Sequence, residues 1–124
     1  MSGDAVRSTI DAYVKAFSTD DREGWLACFA ADAWAEDPIG SGRKTGHDEL
    51  GGFFDASHPA PGAVTLTPTV VKVVGDEASF AMQVRVAFGD QTFGMDVIDV
   101  MTFDADAKIT TMRAFYEGSD LGPI

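Results

Sequence analysis

The chain has 124 residues, 45% of them hydrophobic and 23% charged, a balance that suits one globular domain spanning 1–124 rather than a disordered segment. Twenty acidic against nine basic residues give a formal net charge of −11, which argues against nucleic acid, whose phosphates demand Lys and Arg clusters, and equally against an anionic membrane surface. The N-terminal "MSGDAVRSTID" carries no basic-then-apolar signal and no apolar run approaches membrane-spanning length, so a soluble, cytoplasmic protein is expected.

In chain order, Val6, Ile10, Tyr13, Val14 and Phe17 recur at helical spacing and predict a first helix over about Asp4 to Ser18. "STDDREGWLACFA" then offers an N-terminal cap (Asp20 or Asp21) and a short second helix through Trp25 and Phe29. Cys28, the lone cysteine, falls on that pattern and reads as a small buried side chain. "ADAWAEDPIGSG" begins as a short strand that stops at Asp37-Pro38, because a residue before proline is pushed out of the helical region. "GSGRKTG" reads as an exposed loop, and "TGHDELGGFFDASH" as a third helix despite two glycines in its middle. His47 and His58 both read as solvent-facing.

From Val64 the period changes to two. Strands are expected near Val64–Val74, Ala78–Gly89, Gln91–Phe103 and Lys108–Glu117, with hairpin turns at Gly75-Asp76 and Gly89-Asp90 and a further turn in "DADAK". Helices first and an antiparallel meander after them read as α+β. Phe80, Met82, Val84, Val86 and Phe88 should form one inner row, with Met112, Ala114 and Tyr116 on the same face. Arg85, Arg113, Asp96 and Phe115 should face outward. In "FGMDVIDVMTF" the alternation puts Asp99 in the row of Met95, Val97 and Met101, with no basic partner on its own side. A carboxylate there is costly, and desolvation favours the neutral acid.

Three residues therefore carry the chemical interest: Asp99, the phenol Tyr13 on the apolar stripe of the first helix, and Asp37 at a strand end. Each has a plain reading alone, as a hydrogen-bonded core acid, a core tyrosine and a turn residue. Together they suit proton abstraction beside a carbonyl: an ionised base that reaches the substrate, and two neutral donors held in a dry site where enolate charge develops. No zinc spacing, glycine-rich phosphate loop or nucleophile elbow is present.

"YVKAFSTDDREGWLACFAADAWAEDPIG", the late "VIDVMTF" and the terminal "ITTMRAFYEG" resemble the bacterial steroid Δ5-isomerases (ketosteroid isomerases) of the nuclear transport factor 2-like superfamily. The likeness covers nearly the whole chain. The first segment and the "EDP-x-G" turn are shared loosely by relatives with other activities, whereas the Asp in "VID" is more specific. The family is well known for a carboxylic acid kept neutral to donate a hydrogen bond, so that mechanism comes with the resemblance. It implies a curved, mostly antiparallel sheet wrapped around three N-terminal helices, cone-shaped, with an apolar pocket. It implies Asp37 as general base, with Tyr13 and Asp99 as the two oxyanion donors. The body of a small apolar ketosteroid would rest on Phe54, Phe80, Met82, Val84, Val86, Met112 and Tyr116. No cofactor or metal is implied, and a homodimer through the outer sheet face is.

There are departures. Family members place two further tyrosines behind the oxyanion-hole tyrosine, where this chain has Phe29 and Phe54. Trp34 is bulky for its position and either narrows the pocket mouth or packs outside it. Two other readings stay open: a non-catalytic domain of the same fold that binds small apolar ligands or dimerises, and a related enzyme of the polyketide cyclase or dehydratase kind.

Overall fold

The structure, a computed structural model, describes residues 3–124; the first two residues of the expected domain lie outside the described residues. Helix α1 (Gly3–Ser18) buries Val6, Ile10, Tyr13, Ala16 and Phe17, the stripe that its 3.6-residue spacing requires. Each large apolar member contributes roughly 1.5–3 kcal/mol by leaving water. Helix α2 (Arg22–Leu26) is capped by Asp21, whose side chain accepts from the Gly24 N–H at 2.9 Å. It ends earlier than its apolar pattern suggests. Phe29 opens strand β1 (Phe29–Glu36), where it pairs with Ile109, and Cys28 is buried in the turn between the two elements.

"GSGRKTG" is more ordered than a loop. Its Arg43–Thr45 forms strand β2, antiparallel on β1, and Thr45 leads into α3 (Gly46–Ser57). The first of the mid-helix glycines has a packing reason: a methyl group at Gly51 would run into the Arg22 guanidinium, which crosses the helix to meet Asp55 at 3.0 Å. That close approach offsets the cost of glycine in a helix, about 0.5–1 kcal/mol.

Strands β3 (Val64–Val74), β4 (Glu77–Phe88), β5 (Gln91–Phe103) and β6 (Ile109–Phe115) form the expected meander. The curved, open sheet runs β2-β1-β6-β5-β4-β3 and is mixed, because β1 lies parallel to β6. Sequence periodicity gave no sign of the tail, where a single 3-10 turn (Gly118–Asp120) leads to β7 (Gly122–Pro123) on β5.

The face assignment holds along most of the sheet. Phe80, Met82, Val84, Val97, Asp99, Met101, Met112 and Ala114 are buried, while Arg113 and Phe115 are exposed. Phe88 departs from it: at the hairpin end of β4 it is 47% exposed, with its ring 5.5 Å from that of Phe93. No helix among the described residues is long and apolar enough to cross a membrane.

Candidate active site

The sheet and helices α1 and α3 line a cavity of about 160 Å³. Four elements bring polar side chains to it. Tyr13 comes from the middle of α1. Asp37 follows β1, at a cis peptide bond to Pro38, and the turn is held on the sheet by the Ile39 N–H donating to the Ala114 carbonyl at 2.9 Å. Tyr116 follows β6, and its hydroxyl donates to Asp37 Oδ1 at 2.6 Å. Ser57 comes from the end of α3.

Asp99 is placed by register. It pairs with Phe80 of β4 and Ala114 of β6, so the two-residue alternation turns its side chain inward between Val97 and Met101. It is the buried acid of the core, 0% exposed, and neither carboxyl oxygen has a hydrogen-bond partner. It stands behind the cavity wall rather than on it. The ion pairs among the described residues, from Arg22 to Glu23 and to Asp55, are elsewhere on the surface. Burial pushes the Asp99 carboxyl well above the usual range, and the negative charge of Asp37 pushes it the same way.

The Asp37 carboxyl is also raised, less strongly than that of Asp99, because burial outweighs an opposing hydrogen bond. That bond, from Tyr116, favours the charged form. Tyr13 is 2% exposed, and its phenol is pushed far up by burial and then by the charges of Asp99 and Asp37. The hydroxyl donates to the Met112 thioether at 3.3 Å, a weak acceptor. Tyr13, Asp37 and Asp99 thus sit within electrostatic reach of one another, with two carboxyls in unlike surroundings.

The apolar residues expected to touch a ligand divide into two groups. Met82, Val84, Val86 and Tyr116 line the cavity. Phe54, Phe80 and Met112 pack behind it: Phe54 against Trp25 and the His58 ring, Phe80 beside Asp99, and Met112 under the Tyr13 hydroxyl. The wall is completed by residues that periodicity placed inside without singling them out, among them Met95 and Val97, and by Phe17 and Phe53 from the helices. Trp34 is off the wall. Its neighbours Ala33 and Ala35 take the inner face, and its ring lies under the Arg43 guanidinium at 3.8 Å.

Both histidines are tied down rather than solvent-facing. His58 places Nδ1 2.7 Å from the Phe54 carbonyl oxygen and Nε2 2.8 Å from that of Phe17, and stacks on the Phe54 ring at 4.0 Å. It joins the C-terminal ends of α1 and α3, where a donor meets otherwise unpaired carbonyls. His47 reaches the Phe29 carbonyl oxygen at 3.1 Å.

Comparison with known proteins gives four findings. A family model described as "SnoaL-like domain" matches residues 10–112. A protein of Nocardioides simplex named "Steroid Delta-isomerase" is 34% identical over 116 residues, covering 94% of this chain and 93% of its own length. Among solved structures, the Delta 5-3-ketosteroid isomerase from Mycobacterium sp. superposes with a TM-score of 0.82 at 20% identity, over 97% of this chain and 98% of that one. SalBIII, described as an epoxide hydrolase/cyclase-like enzyme in pyran ring formation, gives a TM-score of 0.86 at 19% identity, over 98% and 97%. The two structural likenesses bear on the fold, and they show that it serves more than one chemistry.

Proposed function

The chain belongs to the SnoaL-like domain family of the nuclear transport factor 2-like superfamily, and from that premise we propose that it is a steroid Δ5-isomerase acting on 3-oxo-Δ5-steroids or closely similar ketones. The observation that carries this reading is the pair of carboxyls in one small apolar site. Asp37 is at the cavity with one oxygen bonded by Tyr116, and Asp99 is enclosed behind it without a cation or a hydrogen bond.

In this mechanism Asp37 takes a proton from C4 of the steroid, using the carboxylate oxygen that Tyr116 leaves free. The electron pair moves onto the C3 oxygen to give a dienolate, and Asp37 returns the proton at C6, so the double bond moves into conjugation. Tyr13, on the cavity wall, donates to the C3 oxygen as it becomes negative, and neutral Asp99 does so once ligand binding opens the wall in front of it. Both are already desolvated, so they stabilise that charge without reorganising water. Met82, Val84 and Val86 hold the ring system by apolar contact. The protein works as a homodimer through the outer sheet face.

The test is spectrophotometric. With 5-androstene-3,17-dione the wild type should generate the absorbance of the conjugated enone. Asp37→Asn should lower turnover by roughly 10²–10⁴-fold while still binding a phenolic steroid. Absence of enone from the folded wild type would rule out the substrate class, and an Asp37→Asn variant of full activity would rule out the base.

A further inference from the structure

Tyr13 is surrounded by rings that cannot support its hydroxyl. Phe29 lies edge-on at 6.2 Å and Phe17 at 6.3 Å, and neither carries a polar atom. The exception is Trp25, whose ring centroid is 5.9 Å away at a tilt of 41°. Trp25 is 0% exposed and its indole Nε1–H has no hydrogen-bond partner. A buried donor left unpaired is costly and calls for an explanation. The indole's other ring neighbours are Phe17, Phe29, Phe53 and Phe54, at 5.7, 4.6, 6.2 and 5.4 Å, so Tyr13 is the ring neighbour that can accept. The indole N–H lies close enough to the Tyr13 oxygen to favour its phenolate form against burial, although the bond is not closed without ligand.

We infer that Trp25 is a positioning residue for Tyr13: its indole N–H pairs with the Tyr13 oxygen when the Tyr13 proton is committed to an anionic ligand oxygen. The inference rests on Tyr13 being an oxyanion donor, as proposed above. Without ligand the Tyr13 proton is directed at the Met112 sulfur and the indole bond is open. A ligand oxyanion draws the proton away from that weak acceptor. The phenol oxygen then gains negative character and becomes a better acceptor, and successive hydrogen bonds in a dry site polarise one another. The indole thereby supplies the second donor that Phe29 and Phe54 cannot.

The experiment uses substituted phenols of decreasing pKa as oxyanion stand-ins, titrated into nitrogen-15-labelled protein. The Trp25 indole N–H resonance, assigned with Trp25→Phe and Trp34→Phe, should move downfield on binding, further for more acidic phenols, and should stay still in Tyr13→Phe. Trp25→Phe should lower both affinity for the acidic phenols and kcat by about tenfold, with KM little changed. It should cause no further loss in a Tyr13→Phe background. An indole resonance that stays still while Tyr13→Phe weakens phenol binding would overturn the role of Trp25 alone, as would an equal loss from Trp25→Phe in both backgrounds. If Tyr13→Phe leaves phenol affinity untouched, the oxyanion reading itself fails and the role of Trp25 falls with it.

Discussion

Two aspartates of identical intrinsic chemistry are separated here by their neighbours. Asp99 has only burial and a like charge acting on it, and both favour the neutral acid. Asp37 has a phenol donating at 2.6 Å, and this favours the carboxylate against burial. The sign of a substitution at Tyr116 follows. Removing the hydroxyl in Tyr116→Phe leaves burial unopposed, so the pKa of Asp37 rises further. The base is protonated and idle below its pKa, so the acid limb of kcat/KM against pH should move to higher pH, which a pH-rate profile measures. A limb that stays in place or moves to lower pH would contradict the assignment. At this scale Asp99 was legible in the sequence, because alternation put Arg85 and Arg113 on the opposite face and left no cation for it. The Tyr116–Asp37 bond and the Tyr13–Met112 contact were not legible. They join residues 79 and 99 positions apart, and no local pattern encodes such a meeting. The orphaned indole of Trp25 was hidden for the same reason: a tryptophan on an apolar stripe looks the same whether or not its N–H finds a partner.

At the scale of elements, α1 and the meander β3–β6 could be read from the sequence because their burial is periodic and the first two turns of the meander carry Gly-Asp pairs; Gly75 and Gly89 adopt φ of 61° and 62°, as such turns require. The end of α2 could not be read, since Phe29 leaves the helix for a parallel pairing with Ile109 far along the chain. Strand β2 is three residues on an edge and β7 two, both defined by the partner they join rather than by their own composition. The sheet also explains the proposed dimer. Ile98 and Phe115 are register neighbours on its outer face, 49% and 42% exposed, with half-buried Val100 adjoining them. Apolar side chains grouped on an open sheet face need cover. Light scattering at micromolar concentration should give twice the chain mass for the wild type, and Ile98→Lys should shift it toward the monomer. A wild-type monomer would contradict the proposal.

At the scale of the whole molecule, the site exists only when the fold is complete. The polar groups at its cavity come from α1, the end of β1, the end of α3 and the end of β6, and the sheet's register sets Asp99 of β5 behind the wall. A net charge of −11 adds nothing that would neutralise Asp99 from within, since the described ion pairs stay on the surface. On the proposed mechanism this fold holds one aspartate ionised and another neutral at the same pH. The most direct measurement is the carbon-13 chemical shift of the Asp37 and Asp99 γ-carboxyl carbons in the unliganded protein at neutral pH, assigned with Asp37→Asn and Asp99→Asn. The expected result is a carboxylate shift for Asp37 and a carboxylic acid shift for Asp99. An ionised Asp99 under those conditions would contradict the account.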